Sequence, residues 1–113
     1  MMIKKLYNEL DTLVDEALEG QKLMYPEGGD ILTVSGTKLI VRRPQDRKPR
    51  GLVKLAMGYG SGHEGPGPGG VRPGGNDLGV PGDVFAAPAA NRILRGLKAI
   101  ADGSPINSSI WLW

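Results

Sequence analysis

A glycine- and proline-rich segment from Gly58 to Gly82 limits the folds open to this chain more than any other feature. Its 25 residues hold 11 of the chain's 18 glycines and 4 of its 9 prolines. Such an excess spread over a whole chain is typical of disorder, but the remaining residues have an ordinary globular composition. Because the chain has 113 residues, we expect a single small domain over 1–113, interrupted by one specialised segment.

The residues before this segment predict one helix and three strands. Apolar residues recur at three- and four-residue steps over 2–19 and predict an amphipathic helix, with Gly20 as the glycine that ends it. The short apolar runs 31–34 and 38–42 predict two strands joined by a turn at residues 35–36. The run 52–57 is apolar at five of its six positions, which is typical of a strand covered on both faces.

The residues after the segment predict a second helix between Pro88 and Gly103 and a strand that begins at Ile106. Gly96 lowers the propensity of this helix, and it would also permit close packing on a sheet. The whole pattern predicts an α/β fold, in which a small mixed or parallel sheet of at least three strands is flanked by two main helices.

Charge and composition exclude several classes of function. The net charge is only +2, and the basic stretch 42–50 has no interleaved aromatic residue, so a solvated loop is favoured over contact with phosphate or nucleic acid. Zero cysteines and a single histidine exclude a disulfide framework, a thiol nucleophile and a metal site built from several of these residues. No apolar run approaches the roughly 20 residues of a membrane span, and no signal-peptide pattern is present. We therefore expect a cytoplasmic protein with neither membrane nor nucleic acid as a partner.

The strand 52–57 leads directly into the sequence Gly58-Tyr-Gly-Ser-Gly-His-Glu64. Ligands of α/β proteins bind at the carboxyl ends of strands, so this is the natural place for a site. Residues 60–65 match the dinucleotide-binding pattern G-x-G-x-x-G, with Asp83 where a ribose-binding acid belongs. That motif needs a helix to follow at once, however, and the Gly-Pro repeats that follow cannot form one. A Walker-type loop is excluded because no Lys-Ser or Lys-Thr follows the glycines.

The residues alone leave more than one role possible for the polar side chains of this segment. His63, with Glu64 beside it, could act as a general acid or base or as a hydrogen-bond donor to a substrate, or it could simply cap the loop. Ser61 has no visible base to activate it, so a turn serine is favoured over a nucleophile. Tyr59 is predicted to pack against or cap the loop, and Asp77, like Asp83, is predicted to be a turn residue.

Two blocks of the sequence together resemble the dihydroxyacetone kinase family. Residues 58–64 resemble the Gly-Gly-Gly-Ser-Gly-His-Glu-Pro loop of its substrate-binding subunit. Residues 81–88, Pro-Gly-Asp-Val-Phe-Ala-Ala-Pro, resemble a second block of that family, which leads to a proline and a helix. The resemblance implies that the backbone of the loop contacts a small ketose, and that the histidine is the catalytic residue, which hydrogen-bonds the substrate and helps to move its hydroxyl proton. The substrate-binding residues would be Gly60, Ser61, Gly62 and His63.

The resemblance also implies partners. In this family ATP with magnesium, or a phospho-carrier protein, is bound by a different subunit or domain, so we expect no cofactor and no metal on this chain. The family's catalytic aspartate and a second histidine, which bonds to the ketone carbon, would lie downstream of residue 113. We therefore expect an N-terminal portion or split subunit, inactive alone, that forms a homo-oligomer or a complex with a chain carrying the missing part. The sequence departs from the family at Tyr59, Gly65 and Ala87, and throughout the glycine-rich stretch 65–80.

Two other functions are compatible with the same sequence. The chain could be a non-catalytic relative that binds a ketose and regulates a partner. It could instead be a structural or oligomerisation domain, in which the apolar end Trp111-Leu-Trp113 adds to the sheet of a neighbour.

Overall fold

The structure, a computed structural model, describes residues 5–63 and 67–110, and within these a mixed five-stranded sheet carries a helix on each face. The strand order is β1-β2-β4-β3-β5. The pairs β1/β2 and β2/β4 are antiparallel, and β3 is parallel to both β4 and β5. This arrangement confirms the predicted α/β fold. The elements are β1 (Asp30–Val34), β2 (Thr37–Val41), β3 (Lys54–Ser61), β4 (Leu78–Val84), β5 (Ile106–Ile110), α1 (Leu13–Met24) and α2 (Ala90–Ile100).

The first two strands form the predicted hairpin. Ser35 and Gly36 connect them with φ angles of 49° and 76°, the left-handed conformations that match a two-residue turn to the twist of its strands. The register runs from Val34 opposite Thr37 to Asp30 opposite Val41. This register places Ile40 on one face of the sheet and Leu39 and Val41 on the other.

The helix α2 covers the face that carries Leu39 and Val41. Its Ile93, Leu97 and Ile100 pack on a cluster of buried residues from three strands. A Cβ atom on Gly96 would stand 2.9 Å from a methyl carbon of Val80 and 3.0 Å from one of Leu78. The missing side chain therefore lets the helix approach the sheet closely, as the sequence suggested. The buried strand residues of this cluster are Leu39, Val41, Ala56, Leu78 and Val80.

The helix α1 lies on the opposite face, but the prediction of a helix over 2–19 is wrong at both of its ends within the described residues. Residues 5–9 are irregular, and a short 3-10 turn, Leu10–Thr12, precedes α1. Leu6 is 95% exposed, whereas Leu18 is buried against Ile40 and Val71. Packing on the sheet stabilises the helix only where its apolar stripe reaches the sheet, because a short helix is marginal on propensity alone.

Gly20 does not end α1, which continues to Met24. The helix ends at Tyr25, whose φ and ψ are −126° and 69°. The next residue is Pro26, and a residue that precedes proline is driven out of the helical region. The glycine is thus an interior residue of the helix.

The Gly20→Ala variant is therefore expected to be more stable than the wild type. Glycine in a helix interior costs about 0.5–1 kcal/mol relative to alanine, and a Cβ atom at this position would meet nothing within 4 Å. Urea unfolding followed by circular dichroism should show a midpoint at higher urea with an unchanged slope. A lower midpoint would show that this part of the chain is not helical in solution.

The strand β4 was not predicted, and β3 is longer than predicted. Gly79, Pro81 and Gly82 conceal β4 in the sequence, because all three disfavour strands. The proline is tolerated because β4 pairs with β2 only at Leu78 and Gly79, so that one edge of β4 is unpaired further along. The strand β3 runs through Gly58, Tyr59 and Gly60 to Ser61, so most of the predicted loop is strand.

Three parts of the sequence analysis lie outside the described residues. These are the start of the predicted N-terminal helix, the residues Glu64-Gly65-Pro66 after the histidine, and the apolar end Trp111-Leu-Trp113.

Candidate functional site

The carboxyl ends of β3 and β4 lie side by side and bring the two singled-out blocks together. Because the strands are parallel, residues 58–61 pair with residues 80–84. The register is Tyr59 opposite Pro81 and then Ser61 opposite Val84, so the ladder shifts by one residue between the two pairs. Bulges of this kind occur at the edges of functional sites, where they re-aim the chain. Both blocks therefore end at the place where ligands of parallel sheets bind.

Ser61 ties the two strands to each other. It is buried, its Oγ donates a hydrogen bond of 2.8 Å to the carbonyl of Gly82, and its own carbonyl accepts one of 2.7 Å from the Phe85 amide. Ser61 is the last residue of β3, so the prediction that it is a turn serine is wrong. The hydroxyl hydrogen is used in the bond to Gly82, which gives this side chain a structural role in the strand pair.

Glycine is required where the blocks touch. A Cβ atom on Gly60 would stand 2.9 Å from the Ala86 amide nitrogen, and one on Gly82 would stand 2.1 Å from the Ala86 carbonyl oxygen. Both contacts are with backbone atoms, which cannot move aside as a flexible side chain can. These glycines therefore serve the close approach of two chain segments.

His63 follows the strand in a tight turn. Its amide donates to the carbonyl of Gly60 at 3.1 Å, and Gly62 between them has a φ of 105°, which L side chains rarely adopt. The His63 residue is half-buried. Two backbone N–H groups of the site, those of His63 and Phe85, are therefore used in holding its shape.

Phe85 closes the site from the β4 side. It has a φ of 53°, is 64% exposed, and its ring lies against Gly62, where a Cβ atom would be 2.5 Å from the ring carbon Cε1. A positive φ is strained for an aromatic residue and persists only where the surroundings impose it. The hydrogen bond from its amide to Ser61 is part of that constraint. Sequence reasoning noted this phenylalanine only as part of the second block.

An open pocket of about 840 Å³ lies between α1 and the ends of β3 and β4. This volume falls within the roughly 300–1,000 Å³ of small-molecule sites. Ser61 and Gly62 line it, while Gly60 and His63 do not. Apolar side chains of α1 form one wall, and Arg72 is the charged residue among the described lining groups. The lining residues from α1 are Leu13, Val14, Ala17, Gly20, Gln21 and Met24.

Tyr59 and Val71 anchor the described part of the glycine-rich stretch. Both side chains are fully buried, which confirms that Tyr59 packs. Val71 contacts the cluster around Ile40, and the Gly29 amide donates to the Pro68 carbonyl at 3.0 Å. Residues 67–77 thus fold as turns against the sheet and α1.

A buried ion cluster lies at the opposite end of these strands, and sequence reasoning missed it. Asp77 Oδ1 is 2.9 Å from Arg42 Nε, and Asp77 Oδ2 is 2.9 Å from Lys48 Nζ and 2.7 Å from the Leu55 amide nitrogen, which donates to it. The side chains of Arg42 and Asp77 are 7% and 6% exposed. Two predictions are therefore wrong: Asp77 is no mere turn residue, and Arg42 does not belong to a solvated loop. Asp83 is exposed and lies in β4, so the prediction that it is a turn residue is wrong as well.

Beside this cluster, Asp102 pairs with Lys54 at 2.9 Å. Hydrogen bonds from Ser104 and from Lys54 hold the pKa of the Asp102 carboxyl well below its usual value. Both ionic groups lie at the end of the strands opposite His63, and they stabilise the start of β3.

Neither a cluster of metal ligands nor a membrane-spanning helix is present among the described residues. Over 5–63 and 67–110, no three His, Cys, Asp or Glu side chains lie together as the ligands of a metal ion would. In the same part of the chain, no helix has both the length and the apolar composition needed to cross a membrane.

The fold and the paired blocks define an α/β unit, and comparison with known proteins names its family. A family model described as the Dak1 domain matches residues 23–107. The chain belongs to this family, the dihydroxyacetone kinases, and corresponds to part of their substrate-binding subunit. This confirms the resemblance found in the sequence.

The individual relatives are consistent with the family match. The chain is 36% identical over 104 residues to the dihydroxyacetone-binding subunit of a PTS-dependent dihydroxyacetone kinase from Listeria innocua, and 31% identical over 108 residues to the triokinase/FMN cyclase of Mus musculus. A crystal structure of the dihydroxyacetone kinase from C. freundii, in complex with AMP-PNP and Mg²⁺, superposes with a TM-score of 0.78 at 26% identity.

These matches cover most of this chain but little of its relatives. They include 92%, 96% and 91% of the chain, yet 30%, 18% and 19% of the respective relatives. The chain therefore spans less than a third of the length of each.

Proposed function

We propose that this chain is the N-terminal part of a small-ketose kinase and supplies one wall of its ketose site. The observation that carries the proposal is the meeting of the two family blocks at the carboxyl ends of β3 and β4. The Ser61–Gly82 and Phe85–Ser61 hydrogen bonds lock that meeting in place. A site held by such bonds is preorganised, so its donors need not reorder when a ligand arrives.

In this proposal His63 is the catalytic residue, and Gly60, Ser61 and Gly62 shape the surface that the ketose touches. The turn is closed by the hydrogen bond from the His63 amide to the Gly60 carbonyl, and the exposed Phe85 ring lies against Gly62 of the same turn. A neutral imidazole there can accept the proton of a substrate hydroxyl as that oxygen attacks a phosphoryl group. Dihydroxyacetone is the simplest ketose that fits a family of this name.

The remaining parts of the reaction would be carried out by other polypeptide chains. ATP with magnesium, or a phospho-carrier protein, would be bound by a kinase subunit. This chain and the kinase subunit would both work in the cytoplasm. The segment that completes the ketose site would come from the part of the family that this chain does not span. The chain alone is then expected to bind the ketose weakly and to transfer no phosphoryl group.

Titration with dihydroxyacetone tests the binding step. We expect amide signals of Gly62 and His63 to shift in ¹H–¹⁵N spectra at millimolar ligand, and the His63→Ala variant to bind about three- to tenfold more weakly, since one hydrogen bond contributes about 0.5–1.5 kcal/mol. Asn107→Ala is a control, because this exposed residue of β5 is remote from the turn. No spectral change with the wild type would remove the ketose-binding role.

A phosphoryl-transfer assay then separates a kinase part from a non-catalytic ketose-binding relative. The chain is mixed with the remainder of a dihydroxyacetone-binding subunit, a kinase subunit and its phosphoryl donor. Turnover that depends on His63 supports the kinase. Ketose binding without turnover in this mixture supports the regulatory relative.

A further inference from the structure

Phe85 occupies a turn position at which glycine or asparagine is normally found. The amide of Ala86 donates to the carbonyl of Asp83 at 3.1 Å and closes a four-residue turn over 83–86. Of the two central residues, Val84 and Phe85, only the second has a positive φ, of 53°. A positive φ at the third residue alone is typical of type II turns, which favour glycine there because a side chain is strained in that conformation. Phenylalanine therefore gives this turn a strain that glycine would not.

The same residue contacts the peptide bond that joins Ser61 to Gly62, the step just before His63. Its amide nitrogen donates to the Ser61 carbonyl oxygen at 2.7 Å. Its ring lies against Gly62, where an added Cβ atom would be 2.5 Å from Cε1, 3.0 Å from Cδ1 and 3.2 Å from Cζ. A rotation of this peptide would break the hydrogen bond, and a shift of Gly62 toward the ring is blocked.

The conformation of Gly62 needs such a restraint. Its φ is 105°, and glycine populates many backbone conformations at similar energy, so its own propensity does not select this one. The hydrogen bond from the His63 amide to the Gly60 carbonyl closes the turn around it. The direction in which the chain leaves β3 toward His63 therefore depends on the contacts that hold Gly62, and those of Phe85 are among them.

The ring contact explains why a phenylalanine occupies this strained position. Glycine or asparagine at position 85 would form the turn with less strain, but neither would supply a ring. The hydrogen bond from the amide of residue 85 to Ser61 could be made by any residue except proline, so the contact with Gly62 is what phenylalanine adds. Backbone strain of this kind is concentrated at functional sites, where the surrounding structure imposes it.

We propose that Phe85 is a positioning residue, which fixes the Ser61–Gly62 peptide through its ring and its amide. It thereby fixes the backbone from which the His63 side chain extends, and the strained φ is the conformation in which both contacts are made at once. The part of this inference that concerns the backbone stands on the geometry alone. The part that concerns catalysis rests on the proposed role of His63 in a ketose kinase.

Hydrogen exchange of the His63 amide with water tests the backbone part. Phe85→Gly relieves the strain and removes the ring. We expect the His63 amide of this variant to exchange roughly tenfold faster or more, while the amide of the buried Ile40 in β2 keeps its rate within about threefold. Phe85→Tyr keeps the ring and should retain the wild-type rate at His63. Ser35→Gly is the matched control, since it relieves a positive φ of 49° in the β1/β2 turn and should leave His63 unchanged.

These exchange rates separate positioning from a general effect on stability. An unchanged His63 rate in Phe85→Gly overturns the proposal. So does an increase no larger than that at Ile40, which would show that Phe85 only stabilises the fold. Equal losses of protection in Phe85→Tyr and Phe85→Gly overturn it as well, because the ring would then have no part in holding the turn.

A phosphoryl-transfer assay tests the catalytic part. In the mixture with the remainder of a dihydroxyacetone-binding subunit, a kinase subunit and its donor, Phe85→Gly is expected to lower kcat roughly tenfold or more and to change KM less. The reason is that proton transfer depends steeply on the position of the group that accepts the proton. Phe85→Tyr should restore most of the rate. An unchanged kcat in Phe85→Gly, despite faster exchange at His63, would overturn the catalytic part. A wild-type mixture without turnover would contradict the proposed function, while the exchange rates decide the backbone part independently.

Discussion

Replacement of Asp77 by asparagine is expected to lower the free energy of unfolding by about 3–5 kcal/mol, the cost of breaking a buried ion pair by removal of one partner. The Asp77 carboxylate forms ion pairs with Arg42 and Lys48 and accepts a hydrogen bond from the amide of Leu55. The amide of an asparagine keeps the shape but not the charge, so the Arg42 guanidinium would stay buried without a counter-ion. Since small domains are stable by only about 5–15 kcal/mol, this loss is a large fraction of the total.

Urea unfolding measures this effect, and the chain offers a matched control. Asp83→Asn makes the same chemical change at a carboxylate that is 80% exposed and lies 3.6 Å from Arg92. Exposed pairs contribute little, so a change below about 0.5 kcal/mol is expected there. The double variant Asp77→Leu with Arg42→Met should recover part of the lost stability, because apolar replacement of both partners removes the unpaired charge. Equal losses in the Asp77 and Asp83 variants would contradict the buried cluster.

The same cluster shows why the sequence predicted the elements better than their contacts. Asp77 stands in a Gly-Gly-Asn-Asp run, which has the composition of a turn. Its partner Arg42 is far away in the sequence, and the two meet only because β2 and β4 pair at Val41 and Leu78. Because glycine and proline concealed β4, the strand pairing that brings Asp77 to Arg42 could not be inferred from the sequence.

The candidate site was predictable to a greater extent, because its signal is local. The order of strand, glycines and His63 places a site at the end of β3 on topology alone. The resemblance of the second block to the family then located its other half. What a linear reading could not supply was that Gly60 and Gly82 face backbone atoms of residues 86–88, because that depends on the shift in register between β3 and β4.

This contact leads to the second prediction, that Gly82→Ala disrupts the site while leaving the rest of the sheet folded. The added methyl would lie 2.1 Å from the Ala86 carbonyl oxygen and 2.8 Å from the Pro88 nitrogen, so one of the two segments must move. Such overpacking costs about 1–3 kcal/mol. The movement would lengthen the bond from Ser61 Oγ to the Gly82 carbonyl and the bond from the Phe85 amide to Ser61.

Amide spectra separate this local effect from general destabilisation. In Gly82→Ala the signals of residues 61–63 and 83–88 are expected to shift, while those of the β1/β2 hairpin remain in place. Gly20→Ala adds the same methyl group on the facing wall of the pocket, where nothing lies within 4 Å, and should leave the Ser61–Gly82 contact and the signals of residues 85–88 unchanged. If Gly82→Ala leaves the Ser61 and His63 signals in place and the urea midpoint unaltered, the two blocks are not in contact. That result would contradict the juxtaposition of the two blocks, on which the ketose site is proposed.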